Sequence, residues 1–478
     1  MLFKRFYLHS LLIFLTSVTS IYSQDDSPHS KEEKKCLVLT LETAVSQALN
    51  ANRQLLETVD HLTQAQYGVN LAKNEFSLSI SPNSEAGYVG HDRGKPGWRL
   101  GGGIDFSKKL TTGTSVSVAP SVIKMRDHYQ TKIETTIVQP LLRGLGKDYQ
   151  LSYLKGAQFS LRTAYRNVYI AQTQLVLRTI QTLYEVVKLE HTAILNQESY
   201  ERITQFYKAS KLKEKIGLAD AFDVYRAQIE LRQSEDALKG TQERLEETKD
   251  ALRDLLALPL DLCIKVDIPT LYAPHPIDVD QAIEIALNTR IEMDQARDDQ
   301  NENKRLSSLA KKNLYPELNL VLNYSNVGRA KDFSTSCKNA RENTWGIGLT
   351  SSNEMNPLAD QIAYAQSLIA ISSGSRDIEQ TEATLILEIK RAVRQLQRAF
   401  ERIDLQEAQI KTAQGELHLA KIKFDRGMTD NFNLIQSEKS LRNAQQHYWS
   451  AMIDHMVGQF QLMGAMGLLI DKPRMNIP

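Results

Sequence analysis

The sequence predicts a mostly α-helical chain with a β-barrel part, built by internal duplication. Three observations carry this prediction. First, the chain repeats itself. Ala44…Ala48-Leu49-Asn50…Asp60…Leu71-Ala72-Lys73 returns as Ala282…Ala286-Leu287-Asn288…Asp298…Leu309-Ala310-Lys311, at a constant offset of 238. Further on, Gly217-Leu-Ala-Asp220-Ala-Phe222…Leu231-Arg232 returns as Gly427-Met-Thr-Asp430-Asn-Phe432…Leu441-Arg442, at an offset of 210. Two copies of one long helical plan are unlike a single enzyme domain. Second, long stretches dominated by Ala, Leu, Gln, Glu, Lys and Arg are almost free of Pro and Gly, as in long packed helices. Third, each copy contains pieces of strict period-2 alternation split by Gly-containing turns. Segments of about ten residues in this pattern are the mark of transmembrane β-strands, although an ordinary antiparallel sheet uses the same alternation.

The elements follow in order. Residues 1–23 read as a secretory signal: Lys4-Arg5, then the apolar Leu11–Leu15, then small residues through Ser17, Ser20 and Ser23. That apolar run is too short for a membrane anchor, and no Cys stands at the cleavage point. The first repeat covers 24–270 and opens with a polar stretch to about residue 36. A long helix is expected over about 41–76, a strand hairpin over about 84–140, and long helices over about 151–258. Thr114–Val118 and Lys132–Ile137 alternate strictly, and Leu110-Thr-Thr-Gly113-Thr is turn chemistry between such runs. From Leu151 to Ile216, helix at 1.5 Å per residue would reach on the order of 100 Å.

Pro259 and Pro269 end the first copy, and Pro274 and Pro276 lead into the second, over 271–470, with Asp278 as its N-cap. Here a helix is expected over about 279–314, a strand hairpin over about 316–350 and long helices over about 371–469, leaving 471–478 as a tail. Leu318–Tyr324 and Trp345–Leu349 are the alternating pieces. The β segment is longer in the first copy, which accounts for the change of offset.

Composition removes several classes. Lys and Arg number 58 against 57 Asp and Glu, and no basic face with interleaved aromatics marks a nucleic-acid binder. The mature chain has no apolar run of about 18 residues, so it can span a membrane only as a closed barrel. Cys36, Cys263 and Cys337 are far apart and odd in number, so neither a disulfide framework nor a metal spacing is expected. The stripe Met452, Met456, Met463, Met466 has core-filling spacing rather than that of a soft-metal path. Gly101-Gly-Gly103 lacks the Lys-Ser/Thr and helix of a phosphate cradle and suits a closely packed strand. No Ser/His/Asp set or carboxylate pair stands out, so no enzyme activity, cofactor or metal site is expected.

In this order the features resemble the TolC-type outer membrane efflux proteins, over about Leu39 to Leu469. The carriers are the duplication, the opening Leu-Thr-Leu-Glu-Thr-Ala…Ala-Leu-Asn, the segment Gln139-Pro140-Leu-Leu-Arg143-Gly144-Leu-Gly146, and the turns Gly217…Asp223 and Gly427…Asn433. The resemblance implies a homotrimer in the outer membrane. Each chain would give four strands to a shared 12-stranded barrel, and long antiparallel helices would form a tunnel in the periplasm. A periplasmic adaptor and an inner-membrane transporter would be its partners, in a tripartite efflux pump or type I secretion system. The alternative is a soluble periplasmic coiled-coil scaffold or adaptor.

The candidate site lies at the helical-hairpin turns. Gly217 and Gly427 suit the left-handed position after a helix, and Asp220 and Asp430 suit the cap of the next one. By resemblance these turns, with Phe222 and Phe432, form the periplasmic mouth and the adaptor contact. Relatives often place carboxylates at the sixth and ninth positions after the second Gly, ringing the entrance. This chain has Asn433 and Gln436 there, so a mouth without an acidic ring is expected. Asp223 matches a position that helps latch the closed mouth in relatives. Its usual aromatic partner is Phe424 here, which lacks a hydroxyl.

Overall fold

A computed structural model describes residues 36–472 except 92–93, 218, 270–277, 353–356 and 430. The expected signal, Pro274, Pro276, Asp430 and most of the tail lie outside the described residues. In chain order the elements are β1 (Leu37–Leu39), α1 (Leu41–Ala51), α2 (Arg53–Asn74), β2 (Leu78–His91), β3 (Gly94–Lys109), β4 (Ser115–Lys124) and β5 (Tyr129–Pro140). Then come α3 (Lys147–Gln150), α4 (Ser152–Lys215), α5 (Ala221–Leu255), β6 (Ile264–Val266), α6 (Val279–Thr289) and α7 (Ile291–Asn313). The chain continues through β7 (Glu317–Ala330), α8 (Phe333–Lys338), β8 (Ala340–Ser352), α9 (Leu358–Asp425) and α10 (Asn431–Ala465).

Side-chain caps start α1, α2 and α6, whereas α4, α5, α7 and α9 have none. Thr40 and Thr43 form a capping box at the start of α1. Asn52 ends α1 and starts α2, its side chain accepting from the Leu55 N–H while donating to the Leu255 carbonyl at 3.0 Å. The Asp278 side chain caps α6 as expected. At 64 and 68 residues, α4 and α9 are each about 100 Å long. α4 packs against α2, α5 and α10, and α9 against α7 and α10. The largest apolar cluster lies midway along α4, where Ile180, Leu183 and Tyr184 meet Ala44 and Ala48, Leu252 and Leu256, and Ile453 and Met456. Met456 is therefore core, as its spacing suggested.

Two expectations are corrected. The four strands expected per chain are six, in one antiparallel sheet of order β2-β3-β4-β5-β7-β8. The first copy supplies two hairpins, and its strands begin at Leu78 rather than near residue 84. Pro82, Gly87 and the Gly-rich stretch of β3 lower local strand preference, but a ladder paired from Leu78↔Lys108 to Val89↔Gly97 overrides it. The expected absence of a disulfide is also wrong, because Cys36 and Cys263 are bonded. They are 227 residues apart in sequence, but β1 and β6 pair in parallel with Leu37 opposite Ile264, so both cysteines enter the same ladder end. Cys337 is free and exposed.

Candidate functional site

The register sorts the sheet into two faces, since directly opposed residues share a side. One row runs Pro82, Ile104, Pro120, Ile133, Asn326, Asn343. With its neighbours two residues on, this face carries Leu78, Ile80, Tyr88, Trp98, Leu100, Phe106, Val118, Val122, Ile137, Leu320, Leu322, Tyr324, Trp345, Ile347 and Leu349. The other face carries Ser79, Ser81, Asn83, Glu85, Arg99, Asp105, Ser117, Ser121, Lys132, Glu134, Asn323, Ser325, Thr344 and Thr350. In a water-soluble α+β domain the apolar face would lie under helices. Here it is open: Trp345 is 75%, Ile347 67% and Trp98 66% exposed. Each such side chain forgoes about 1.5–3 kcal/mol of burial if it faces water. Among the described residues no helix is long and apolar enough to cross a membrane.

The helical tips hold the expected turn residues. Gly217 has φ +74° and Gly427 φ +70°, the left-handed region that Gly occupies without a Cβ penalty. At Gly427, the Gly427 N–H bonds to the Phe424 carbonyl and the Met428 N–H to the Lys423 carbonyl, a Schellman closure. Asp220 occupies the N-cap of α5, but its side chain makes no capping hydrogen bond. The exposed rings of Phe222 and Phe432 flank the Arg226 guanidinium at 4.7 and 5.2 Å. Asn433 is exposed and donates to the Thr429 hydroxyl at 2.8 Å, and Gln436 is exposed.

Asp223 and Phe424 are not brought together as a pair. Asn431 donates to the Asp223 backbone carbonyl at 3.1 Å and to the Ser210 hydroxyl at 2.6 Å. Phe424 is buried under Lys213, whose Nζ stands 3.5 Å from the ring centroid and donates to the Phe424 carbonyl at 2.6 Å.

Sequence reading also misses a set of buried links from α10. Glu438, 1% exposed, accepts from Arg202 of α4 at 2.7 Å. The next residue, Lys439, reaches the buried Glu230 of α5 at 2.6 Å. Gln446 of α10 donates to Asn196, which donates to Thr241, so α10, α4 and α5 share one polar chain. Glu438 falls in the stripe Leu434, Glu438, Leu441 and Glu230 in the stripe Ala227, Glu230, Ser234. A carboxylate in a helical stripe of buried positions was the available signal.

At the other end of the helices, Asp298 of α7 receives Arg162 and Arg166 of α4, each at 2.9 Å. Burial alone would raise this carboxyl, but the hydrogen bonds and charges of the two arginines hold it below the usual range. Burial pushes His191 and His455 down. His191 stacks on Trp449 at 3.6 Å. Among the described residues, no group of three or more His, Cys, Asp or Glu is placed to hold a metal ion.

An exposed apolar sheet face joined to helices of this length is the arrangement that the sequence resemblance implies. Comparison with known proteins agrees. The outer membrane efflux protein family model matches residues 282–467. The outer membrane protein TolC of Vibrio cholerae serotype O1 is 19% identical over 336 residues, which cover 68% of this chain and 76% of that protein. Among solved structures, the fold is similar to that of the Vibrio cholerae outer membrane protein VceC, with TM-score 0.69, 16% identity, and 89% of this chain and 96% of that one covered. It is also similar to the Campylobacter jejuni CmeC outer membrane channel, with TM-score 0.70, 14% identity, and 90% and 86% covered. The resemblance to outer membrane efflux proteins is borne out by the family model, the TolC similarity and the shared fold.

Proposed function

We propose that this chain is the outer membrane exit duct of a tripartite efflux pump or type I secretion system, and not an enzyme. Three copies close their sheets into one barrel, and their helices make a tunnel through the periplasm. A periplasmic adaptor meets the tips around Gly217, Asp220, Phe222, Gly427, Asp430 and Phe432, and an inner-membrane transporter supplies the cargo. The matched pairs α1–α2, of 11 and 22 residues, and α6–α7, of 11 and 23, support reading the halves as repeats, over 24–270 and 271–470. Asn433 and Gln436 line a mouth without an acidic ring, and the Asp223 and Phe424 regions hold it through Asn431 and Lys213.

The observation that carries this reading is the open apolar face of the sheet, opposite a polar one. Lipid covers the first, and water in the lumen wets the second. The soluble scaffold alternative leaves the exposed Trp98, Trp345 and Ile347 unexplained. Outer membrane fractionation, with heat-modifiable migration in SDS gels, tests it. Full solubility without detergent would sink the duct reading.

A further inference from the structure

Among the described residues, the sheet ends on two strands with no other strand beside them. β2, of 14 residues, and β8, of 13, are its outer edges, and among the described residues no strand lies outside either one. Long open edges are a hazard that soluble proteins blunt with short strands, lysines, prolines or covering segments. These edges carry little such protection. Residues 343–352 of β8 and 78–84 of β2 hold no charge. Pro82 alone interrupts β2, and it removes at most one donor from a new ladder. The two edges also match in length, and both are flanked by the same alternation of apolar and polar faces. A ladder between them would continue both faces without a break.

We propose that β8 of one copy pairs with β2 of the next, so that three copies of this six-stranded sheet close into 18 strands rather than 12. The partner is a second copy of this chain. The proposal rests on the duct reading, because it takes the trimer from there. With strands about 4.8 Å apart and tilted about 40°, 18 strands give a backbone diameter of about 36 Å, against about 24 Å for 12. The added β2–β3 hairpin would therefore widen the membrane pore by about half. It contributes Gly101, Gly102 and Gly103 midway along β3, so two small positions face the lumen where wider strands would carry bulk.

Paired cysteines test the edge directly, in a Cys337→Ser background that keeps the native disulfide. Gly348→Cys on the polar face of β8 is combined in turn with Ser79→Cys, Ser81→Cys, Asn83→Cys and Glu85→Cys of β2, and separately with Ser117→Cys and Ser121→Cys of β4. The trimer is oxidised in detergent and resolved on denaturing gels without reductant. The proposal expects covalent dimers and trimers at one or two β2 positions and none with β4. Cross-linking through β4 would mean that the β2–β3 hairpin leaves the wall and 12 strands close it, which overturns the proposal while sparing the duct. An intact trimer that cross-links at no β2 position also overturns it. If no trimer exists before oxidation, the duct reading fails with it.

Discussion

The link between Arg202 and Glu438 makes an asymmetric prediction. Glu438 is 1% exposed, whereas the Arg202 side chain is 31% exposed and has a second carboxylate, Glu198, at 3.4 Å. Arg202→Ala strands a buried carboxylate, which typically costs about 3–5 kcal/mol. Glu438→Gln leaves Arg202 with solvent and Glu198, and the amide can still accept one bond, so its cost is about 1–2 kcal/mol. Native-state hydrogen exchange at the α10 amides over 434–444 reads the local opening of this helix. At 1.4 kcal/mol per factor of ten, Arg202→Ala should speed exchange at least about a hundredfold, and Glu438→Gln about five- to thirtyfold. The double variant should be closer to Glu438→Gln than to the sum, because no buried charge is left behind. Equal effects of the two single variants, or a worse Glu438→Gln, would refute the claim that burial of the carboxylate decides the energetics.

Three further outcomes follow. Because burial depresses His191 and His455, the folded chain binds fewer protons than the unfolded chain as pH falls below about 6.5. Thermal stability of the purified assembly should therefore drop between pH 7.5 and pH 5, and His191→Gln with His455→Gln should flatten the drop. Asp298, held low by its arginines, adds its own loss only below about pH 4. The Cys36–Cys263 bond predicts one titratable thiol per chain, Cys337, under denaturing conditions without reductant, and three would contradict it. Its loss in Cys36→Ser with Cys263→Ser should cost about 2–5 kcal/mol, given the long loop it closes. Across 208–226 and 421–436, eight Lys and Arg face five Asp and Glu, so the mouth should not prefer cations in planar-bilayer reversal potentials. Asn433→Asp with Gln436→Glu should shift permeability toward cations, and a strongly cation-selective native pore would refute the charge assignment.

Much of the fold was legible because periodicity reports burial. The alternation of Leu318–Tyr324 and Trp345–Leu349 marks strands whose two faces meet different solvents. The long run from Leu151 reads as helix because little but Gly156 interrupts it before Gly217. The first part of the β2–β3 hairpin was harder, since Pro82 and Gly87 weaken the strand pattern of β2 until its ladder partners are known. The disulfide could not be read from spacing, because a parallel ladder, not the chain, brings Cys36 to Cys263. At the tips, the turn glycines followed from local backbone geometry alone. The partners of Asp223 and Phe424 did not, because Asn431, Ser210 and Lys213 come from other helices, and only the packing of α4 on α9 and α10 decides which side chains meet.

The central claim is that the apolar face of the six-stranded sheet meets lipid and its polar face meets water. Spin labels placed one at a time along Asn319–Ser325 and Thr344–Thr350, in protein reconstituted into bilayers, test it through accessibility to oxygen and to a water-soluble nickel chelate. The account predicts strict alternation, with oxygen favoured at Leu320, Leu322, Tyr324, Trp345, Ile347 and Leu349 and the chelate favoured at Asn323, Ser325, Thr344 and Thr350. Uniform exposure to the chelate along both strands would contradict it.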